Sequence, residues 1–159
     1  MGIIDVGLGN IYAIVNILDY VGCETRLVTE VAELNDCSHV IIPGVSNYDA
    51  LLSRLVDGGF SKWILENAGS KSILGICSGF HILTAGSEES VNRVDGLNIF
   101  EINTLGFESH SGFCKANTNN AWLTVENEKK YYFNHSYFIK PNAQFNDAIL
   151  VKPFNIPFI

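Results

Sequence analysis

Four short strand-like runs, separated by segments of helical spacing, constrain the fold of this chain more than any other feature. In the first interval, apolar residues recur at the three- and four-residue spacing of a helix from Ile11 to Val21. Strands that are apolar throughout and alternate with helices are typical of a parallel sheet covered on both faces. We therefore predict an α/β fold with a doubly wound sheet, whose strands are Gly2 to Val6, Thr25 to Thr29, His39 to Ile42 and Ser72 to Ile76.

The segments between these strands carry helix signals. Asn10 is a suitable N-cap for the first helix, and Gly22 is placed to end it. Helical spacing predicts further helices over Asn47 to Val56, Phe60 to Asn67 and Gly79 to Ala85. This alternation of strand and helix is the order that a doubly wound fold requires.

The pattern changes after about Gly86. Short strand-like segments with polar turns now follow each other directly, which predicts antiparallel pairing and makes the sheet mixed. No linker separates this half from the first, so we predict a single domain over residues 1–159. The predicted strands of this half are Asn98 to Phe107, Phe113 to Ala116, Trp122 to Glu126, Tyr131 to Lys140 and Ala148 to Lys152.

The sequence stops on an apolar segment, Asn155 to Ile159, with no helix or cap after it. An apolar strand at a sheet edge needs neighbours that cover it. We therefore expect this sequence to lack a C-terminal segment of the domain.

Composition narrows the class of protein. Apolar residues make up 47% of the chain and charged residues 17%, which favours a folded globular protein over a disordered one. The net charge of −7 argues against nucleic acid as a partner, because phosphate binding needs a basic face.

No apolar run approaches the roughly 18 residues of a membrane span, and the N-terminus lacks the features of a signal peptide. The four cysteines show no disulfide framework, so we expect free thiols and a cytoplasmic protein.

Cys77 lies in the segment Gly75-Ile76-Cys77-Ser78-Gly79, between a predicted strand and a predicted helix. The form Gly-x-nucleophile-x-Gly is typical of a strained strand-to-helix turn, in which flanking glycines remove side chains that would clash. The N–H groups and the dipole at the start of the helix would lower the pKa of the thiol, and the Ser78 amide is placed to donate to an oxyanion. The alternative is a buried cysteine that acts only as a small apolar side chain. We predict a nucleophile.

The other candidate sites carry weaker signals. Cys23, Cys37 and Cys114 are more typical of structural cysteines. His110 and Cys114 supply half of a metal site, but no second pair stands at ligand spacing, so we predict no metal. Gly7-Leu8-Gly9 follows the first strand, yet the dinucleotide fingerprint requires a third glycine where Tyr12 stands. We therefore predict no cofactor.

Several motifs, taken in order along the chain, match the pattern of a known protein family. The motifs are Ile4 to Asn10, Ile41 to Ser46, Leu74 to Gly79 followed by Gly86 to Glu89, His110 to Phe113, and Tyr132 to Tyr137. Together they resemble the class I (triad) glutamine amidotransferases, and most of all the glutaminase subunit of imidazole glycerol phosphate synthase. The resemblance covers essentially the whole chain. It implies a flavodoxin-like α/β fold and a glutaminase that passes ammonia to a synthase partner in histidine biosynthesis.

The resemblance also implies roles for individual residues. Cys77 would attack the side-chain amide of glutamine to form a thioester, and the backbone N–H groups of Val45 and Ser78 would form the oxyanion hole. In the family, a cyclase partner that is a (β/α)₈ barrel docks on the face of the Gly-x-Gly-Asn turn, so Asn10 would lie near this interface. The substrate-binding positions would be Gly44, Ser46, His81, Ser136 and Tyr137.

Three departures from the family pattern qualify these roles. The family supplies its general base and orienting carboxylate from a late His-Pro-Glu segment, which would lie beyond Ile159. His81 stands where the family usually has glutamine, which would alter the affinity for glutamine. Ser46 stands where the family usually has glycine, so its side chain could interfere with the peptide flip thought to complete the oxyanion hole. His135 would transfer protons directly only in a chain that truly ended at Ile159.

Three alternatives to this function stay open. One is a paralogous amidotransferase subunit that supplies ammonia to another pathway, such as the amidation of a surface sugar. Another is a non-catalytic interaction module that keeps the fold and the docking face. The third is a different cysteine hydrolase with a similar elbow, against which the glutamine-binding segment His135-Ser136-Tyr137 argues.

Overall fold

A computed structural model describes residues 1–44, 46–118, 129–139, 149–151 and 156–158. The chain divides into two compact units, Met1–Glu101 and Ile102–Ile159. The single domain expected over residues 1–159 stays a prediction. The predicted strand from Trp122 to Glu126 lies outside the described residues.

A four-stranded parallel sheet forms the centre of the first unit. The strands lie in the order β2-β1-β3-β4, and each neighbouring pair is parallel. This order is the one found in flavodoxin-like folds, and it confirms the predicted α/β class. The strands are β1 (Gly2–Ile4), β2 (Arg26–Val28), β3 (His39–Ile42) and β4 (Ser72–Gly75).

Helices connect the parallel strands, as the spacing of apolar residues predicts. Asn10 precedes the first helix, but its side chain makes no capping hydrogen bond. Asn47 does cap the second helix, because its Oδ1 accepts a hydrogen bond from Ala50 N at 3.2 Å. The helices are α1 (Ile11–Tyr20), α2 (Tyr48–Asp57), α3 (Phe60–Asn67) and α4 (Ser78–His81), with an additional 3₁₀ helix over Val31–Asp36 that the sequence did not predict.

The two central strands of the parallel sheet, β1 and β3, have buried residues on both faces. Ile4 and Ile42 pack in a cluster with apolar residues of α2 and α3. Ile3 and Ile41, which point to the opposite face, pack against α1. The sheet is therefore doubly wound, and its site-forming edge is the one where the strands end, as in other open α/β sheets.

The helix predicted over Gly79 to Ala85 is wrong beyond His81. Leu97 N donates to Ile82 O at 2.8 Å, so the backbone after α4 pairs with a later segment instead of continuing the helix. The Thr84 hydroxyl donates to His81 O at 2.7 Å and is buried there. Tertiary pairing thus ends α4 after one turn, and the strand β5 (Thr84–Ser87) follows it.

Antiparallel strands make up the second unit, as the change of pattern after Gly86 predicts. The pairing of β6 with β7 is irregular between Gly106 and His110, so two predicted strands on either side of this stretch form one bulged strand. Among the described residues, no helix has the length and apolar character needed to cross a bilayer. The strands are β6 (Phe100–Thr118), β7 (Lys130–Ile139), β8 (Ile149–Val151) and β9 (Ile156–Phe158), paired as β6 with β7, β6 with β8 and β8 with β9.

Candidate active site

Cys77 lies in the turn between β4 and α4, where the sequence placed a nucleophile elbow. Its backbone has φ 55° and ψ −120°, a conformation that residues other than glycine rarely adopt. The N–H groups of Phe80 and His81 donate to the Cys77 carbonyl oxygen at 2.9 and 3.1 Å, so α4 begins directly at the cysteine. Cys77 is exposed rather than buried in the apolar interior. The strained turn therefore presents the thiol to solvent.

The two glycines that flank Cys77 have no space for a side chain. A Cβ atom added to Gly75 would lie 2.5 Å from the Cα of Phe80. A Cβ atom added to Gly79 would collide with the carbonyl oxygen of Ile42, the last residue of β3. The Gly-x-Cys-x-Gly pattern is therefore required by the close approach of β3 and α4 around the turn.

The loop after β3 lies against the elbow. A Cβ atom added to Gly44 would lie 2.5 Å from Ser78 Oγ. The backbone N–H of Ser78 donates to the Cys77 sulfur, and the role of this amide in an oxyanion hole stays a prediction. Val45 lies outside the described residues, and the role of its amide stays a prediction.

Glu89 is a residue of this site to which the sequence gave no role. Its Oε2 lies 3.7 Å from His81 Nδ1, and its Oε1 accepts a hydrogen bond from Tyr48 N at 3.1 Å at the start of α2. Burial raises the pKa of Glu89, a shift that the hydrogen bond from Tyr48 opposes. The only signal in the sequence was the family-like segment Gly86 to Glu89 downstream of Cys77.

The pKa of the Cys77 thiol is raised, whereas the sequence predicted that it would be lowered. Partial desolvation of the thiol is the main cause, and the negative charge of Glu89 adds to it. The Ser78 N–H acts in the opposite direction. The dipole of α4 is weak because the helix has only four residues. The Cys77 thiol is therefore protonated near neutral pH.

His81 is neutral near neutral pH despite its carboxylate neighbour. Its side chain is 14% exposed, and burial lowers the pKa of His81 to about 4. A charged pair would gain from the 3.7 Å contact with Glu89, but the contact is long and desolvation penalises the imidazolium. His81 is thus a neutral imidazole beside the carboxyl group of Glu89.

This state of His81 predicts a loss of stability in mild acid. Between its ordinary pKa of 6.5 and its folded value of about 4, the unfolded chain binds a proton at His81 and the folded chain does not, so stability falls as pH falls. His81 should account for a decrease of about 2 kcal/mol in the unfolding free energy of the parent between roughly pH 7 and pH 5. This part of the decrease should be absent from the His81→Gln protein. Urea unfolding of both proteins at the two pH values measures it.

Glu89 acts in the opposite direction, because a raised carboxyl pKa favours the folded state as pH falls. The Glu89→Gln protein is therefore the matched control, and it should lose more stability in acid than the parent. Equal pH dependence of the parent and His81→Gln proteins would contradict the assignment.

The remaining predicted site residues lie in different places. Ser46 follows the Gly44 loop, and its hydroxyl is buried without a hydrogen-bond partner among the described residues. Asn10 is exposed at the end of the loop that precedes α1. Ser136 and Tyr137 lie on β7 of the second unit, where the hydroxyls of Ser136 and Ser109 are 2.6 Å apart. The first unit thus brings Gly44, Ser78 and His81 together around Cys77.

Metal ligands do not cluster in the part of the chain that the structure describes. No group of three or more His, Cys, Asp or Glu side chains there could hold an ion. The thiol and the backbone amide of the elbow instead suit covalent acyl chemistry at a cysteine.

Known proteins are similar to this chain in sequence. The profile of the CobB/CobQ-like glutamine amidotransferase domain matches residues 3–108. The HisH subunit of imidazole glycerol phosphate synthase from Leptospira interrogans is 30% identical over 94% of this chain and 79% of that protein. The corresponding subunit from Methanopyrus kandleri is 31% identical over 94% of this chain and 76% of that protein.

Solved structures agree with the fold. A crystal structure of a glutamine amidotransferase superposes with a TM-score of 0.71 at 14% identity, and covers 98% of this chain and 82% of that one. PurLQS from Thermotoga maritima superposes with a TM-score of 0.60 at 17% identity, and covers 99% of this chain and 85% of that one. The extent of the sequence matches shows that the chain belongs to the glutamine amidotransferase family, in the group of the HisH subunits of imidazole glycerol phosphate synthase.

Proposed function

We propose that this glutamine amidotransferase uses Cys77 to hydrolyse glutamine and delivers the ammonia to a synthase partner. The Cys77 sulfur attacks the side-chain amide carbon and a C–S bond forms. The C–N bond breaks as the thiol proton passes to the departing nitrogen, which leaves as ammonia. Water then cleaves the thioester to give glutamate. The observation that carries this proposal is the strained backbone of Cys77, with the Ser78 amide directed at its sulfur.

The surroundings of Cys77 support an oxyanion hole on the β3 side. Gly44 lies against Ser78, so the loop after β3 and the first amide of α4 face the same position. In this proposal the amides of Val45 and Ser78 stabilise the tetrahedral intermediate, a contribution of about 10²–10³-fold for a single donor in comparable enzymes.

We assign the binding of the substrate's amino-acid end to residues of the first unit. His81 lies one helical turn after Cys77 and contacts Glu89, so it is fixed beside the nucleophile. Ser46 carries a buried hydroxyl that a polar ligand would satisfy. Gly44 completes this set in the first unit. The substrate-binding roles proposed for Ser136 and Tyr137 on β7 rest on the family resemblance alone.

The proposed partner is a cyclase-type (β/α)₈ barrel that docks around Asn10. Gly9 packs on Pro43, since a Cβ atom added there would lie 3.1 Å from the proline side chain, so the docking turn abuts the loop of the oxyanion hole. Tyr12 beside it is 74% exposed. Exposed aromatic residues of this kind are typical of interface positions.

We keep imidazole glycerol phosphate formation as the proposed destination of the ammonia, because the HisH relatives match most of the chain. All four cysteines are free thiols, which agrees with the reducing environment of the cytoplasm. A paralogous pathway remains the competing assignment, since His81 and Ser46 depart from the family pattern.

Glutamate release in the presence of candidate partners tests the proposal. We expect the full-length protein to hydrolyse glutamine at least about tenfold faster when a cyclase-type barrel subunit is added, because docking completes the site. Tyr12→Ser should weaken this stimulation, whereas Tyr20→Ser at the far end of α1 serves as the matched surface control. Stimulation only by a different synthase would move the assignment to another pathway.

A second candidate, a non-catalytic interaction subunit, is favoured by one observation. The pKa of Cys77 is raised, and a protonated thiol is a poor nucleophile. A subunit of this kind would bind the barrel but release no glutamate in any mixture.

A further inference from the structure

A second thiol, outside the elbow, lies in a hydrogen-bonded cluster with two imidazoles. The Cys114 Sγ lies 3.4 Å from His110 Nε2, and His110 Nδ1 lies 3.1 Å from His135 Nε2. All three residues belong to the antiparallel pair of β6 and β7. The glutaminase proposed above uses none of these three side chains.

The strand pairing explains how the cluster forms. His110 and His135 are directly opposite each other in the register of β6 and β7, so their rings meet on one face. Cys114 lies four residues after His110 on β6, and therefore on the same face. Gly112 lies between them, and a Cβ atom added there would have His110 Nε2 as its neighbour at 3.7 Å. That distance is an ordinary van der Waals contact, and it shows that the ring of His110 lies along the strand toward the thiol.

The contacts form a chain from the Cys114 thiol through His110 to His135. His110 contacts Cys114 with one ring nitrogen and His135 with the other. When His110 Nε2 accepts the thiol proton, its Nδ1–H donates to His135 Nε2. Burial lowers the pKa of His135, and the nearby His110 lowers it further, which keeps His135 neutral and able to accept. A nucleophile, a base and a group that orients the base are the three parts of an activated thiol.

A metal site does not account for this arrangement. His110 Nδ1 and Nε2 lie on different sides of one ring and contact different residues, so Cys114 and His135 cannot both join His110 around a single ion in this geometry. Within the described ranges, no group of three ligating side chains suits a metal.

We propose that Cys114 is a reactive thiol that forms mixed disulfides with small neutral disulfides, with His110 as its base and His135 as the positioning residue of that base. The Cys114 sulfur forms a bond to one sulfur of the small disulfide, and the original S–S bond breaks. The thiol proton passes to His110 Nε2 and then to the departing thiolate. The products are a protein mixed disulfide and one free small thiol, so no further oxidant is needed.

Two other cysteines provide internal comparisons. Cys23 has a half-buried side chain like that of Cys114, but it makes no side-chain hydrogen bond among the described residues. Cys37 is buried, and its sulfur lies 3.6 Å from Glu33 O and 3.7 Å from Arg26. The proposal therefore ranks Cys114 above Cys23 and places Cys37 last.

Reaction with dithiodipyridine tests the proposal. The full chain with Cys77→Ser is used, so that the elbow thiol does not react, and the modified residue is located by peptide mass spectrometry. We expect Cys114 to react at least about tenfold faster than Cys23 near neutral pH. Equal rates at Cys114 and Cys23 in this one protein would overturn the proposal, whether or not further variants fold.

Variants of the two histidines test the assigned roles. His110→Gln should slow the reaction of Cys114 by about tenfold and leave Cys23 unchanged, and added imidazole should restore part of the rate at Cys114. His135→Gln should give a smaller decrease. A Cys114 rate that is unchanged by His110→Gln, or a lost rate that imidazole does not restore, would show that His110 is not the base.

Discussion

Replacing Cys77 with serine is expected to lower glutamine hydrolysis by at least about 10³-fold, because the hydroxyl is a far weaker nucleophile than the thiol in the same turn. The elbow itself should survive, since serine has nearly the volume of cysteine and Cys77 is exposed. The unfolding free energy should therefore change by less than about 1 kcal/mol. Glutamate release by the protein–partner mixture, measured beside urea unfolding, separates loss of chemistry from loss of fold.

Cys23→Ser is the matched control for this experiment. Cys23 follows α1, away from the elbow in sequence, and it has no proposed role in the reaction. The variant should keep the glutaminase rate within about twofold of the parent. Activity of the Cys77→Ser protein within tenfold of the parent would exclude Cys77 as the nucleophile.

Replacing Gly79 with alanine should produce the largest loss of stability among single substitutions at the elbow. The added methyl group would collide with Ile42 O and lie 2.9 Å from Pro43 O, both of which are backbone atoms that cannot rotate away. The backbone of β3 or of the turn must then shift, which we expect to cost about 3 kcal/mol. The same shift would displace Cys77 from its strained conformation, so glutaminase activity should also fall.

Gly69→Ala is the control for this substitution. A Cβ atom added at Gly69 would meet nothing within 4 Å, and this glycine is not in the positive-φ region. Its unfolding free energy should stay within about 0.5 kcal/mol of the parent. Urea unfolding of both variants gives the comparison, and similar stabilities of Gly79→Ala and Gly69→Ala would contradict the tight approach of β3 to the elbow.

The parallel half of the fold was predictable because its two central strands, β1 and β3, carry apolar residues on both faces. Ile3 and Ile4 illustrate this, since adjacent residues that point to opposite faces are both fully buried. A strand of this kind requires helices on each side, and the helical spacing from Ile11 to Val21 supplied one of them. The elbow at Cys77 was predictable for a related reason, because only glycine fits at positions 75 and 79.

The end of α4 was not predictable from the local sequence. The apolar residues after Gly79 have helical spacing, but Ile82 and Leu83 instead accept hydrogen bonds from the segment that begins at Leu97. Hydrogen bonds to residues distant along the chain determine the backbone structure of this stretch. The spacing of apolar residues carries no information about such contacts. The direction of the Cys77 pKa shift was mistaken because partial burial of the thiol, which the local sequence does not report, outweighs the effect of the Ser78 N–H.

The site itself was only partly predictable. The motifs identified Cys77, Ser78 and the loop at Gly44, whose proximity follows from the meeting of β3 and β4 at one sheet edge. The pairing of His81 with Glu89 required the fold, since the carboxylate is held by Tyr48 N at the start of α2. Likewise, no sequence pattern connects His110 with His135, which meet only through the register of β6 and β7.

The central claim is that the Cys77 thiol is a glutamine-directed nucleophile, and covalent labelling tests it most directly. A diazo-ketone analogue of glutamine is incubated with the protein and its partner, and the adduct is located by peptide mass spectrometry. We expect one adduct at Cys77, formed more slowly when glutamine is present. Labelling that also appears at Cys23 and Cys114, and that glutamine does not slow, would exclude a glutamine-directed nucleophile at Cys77.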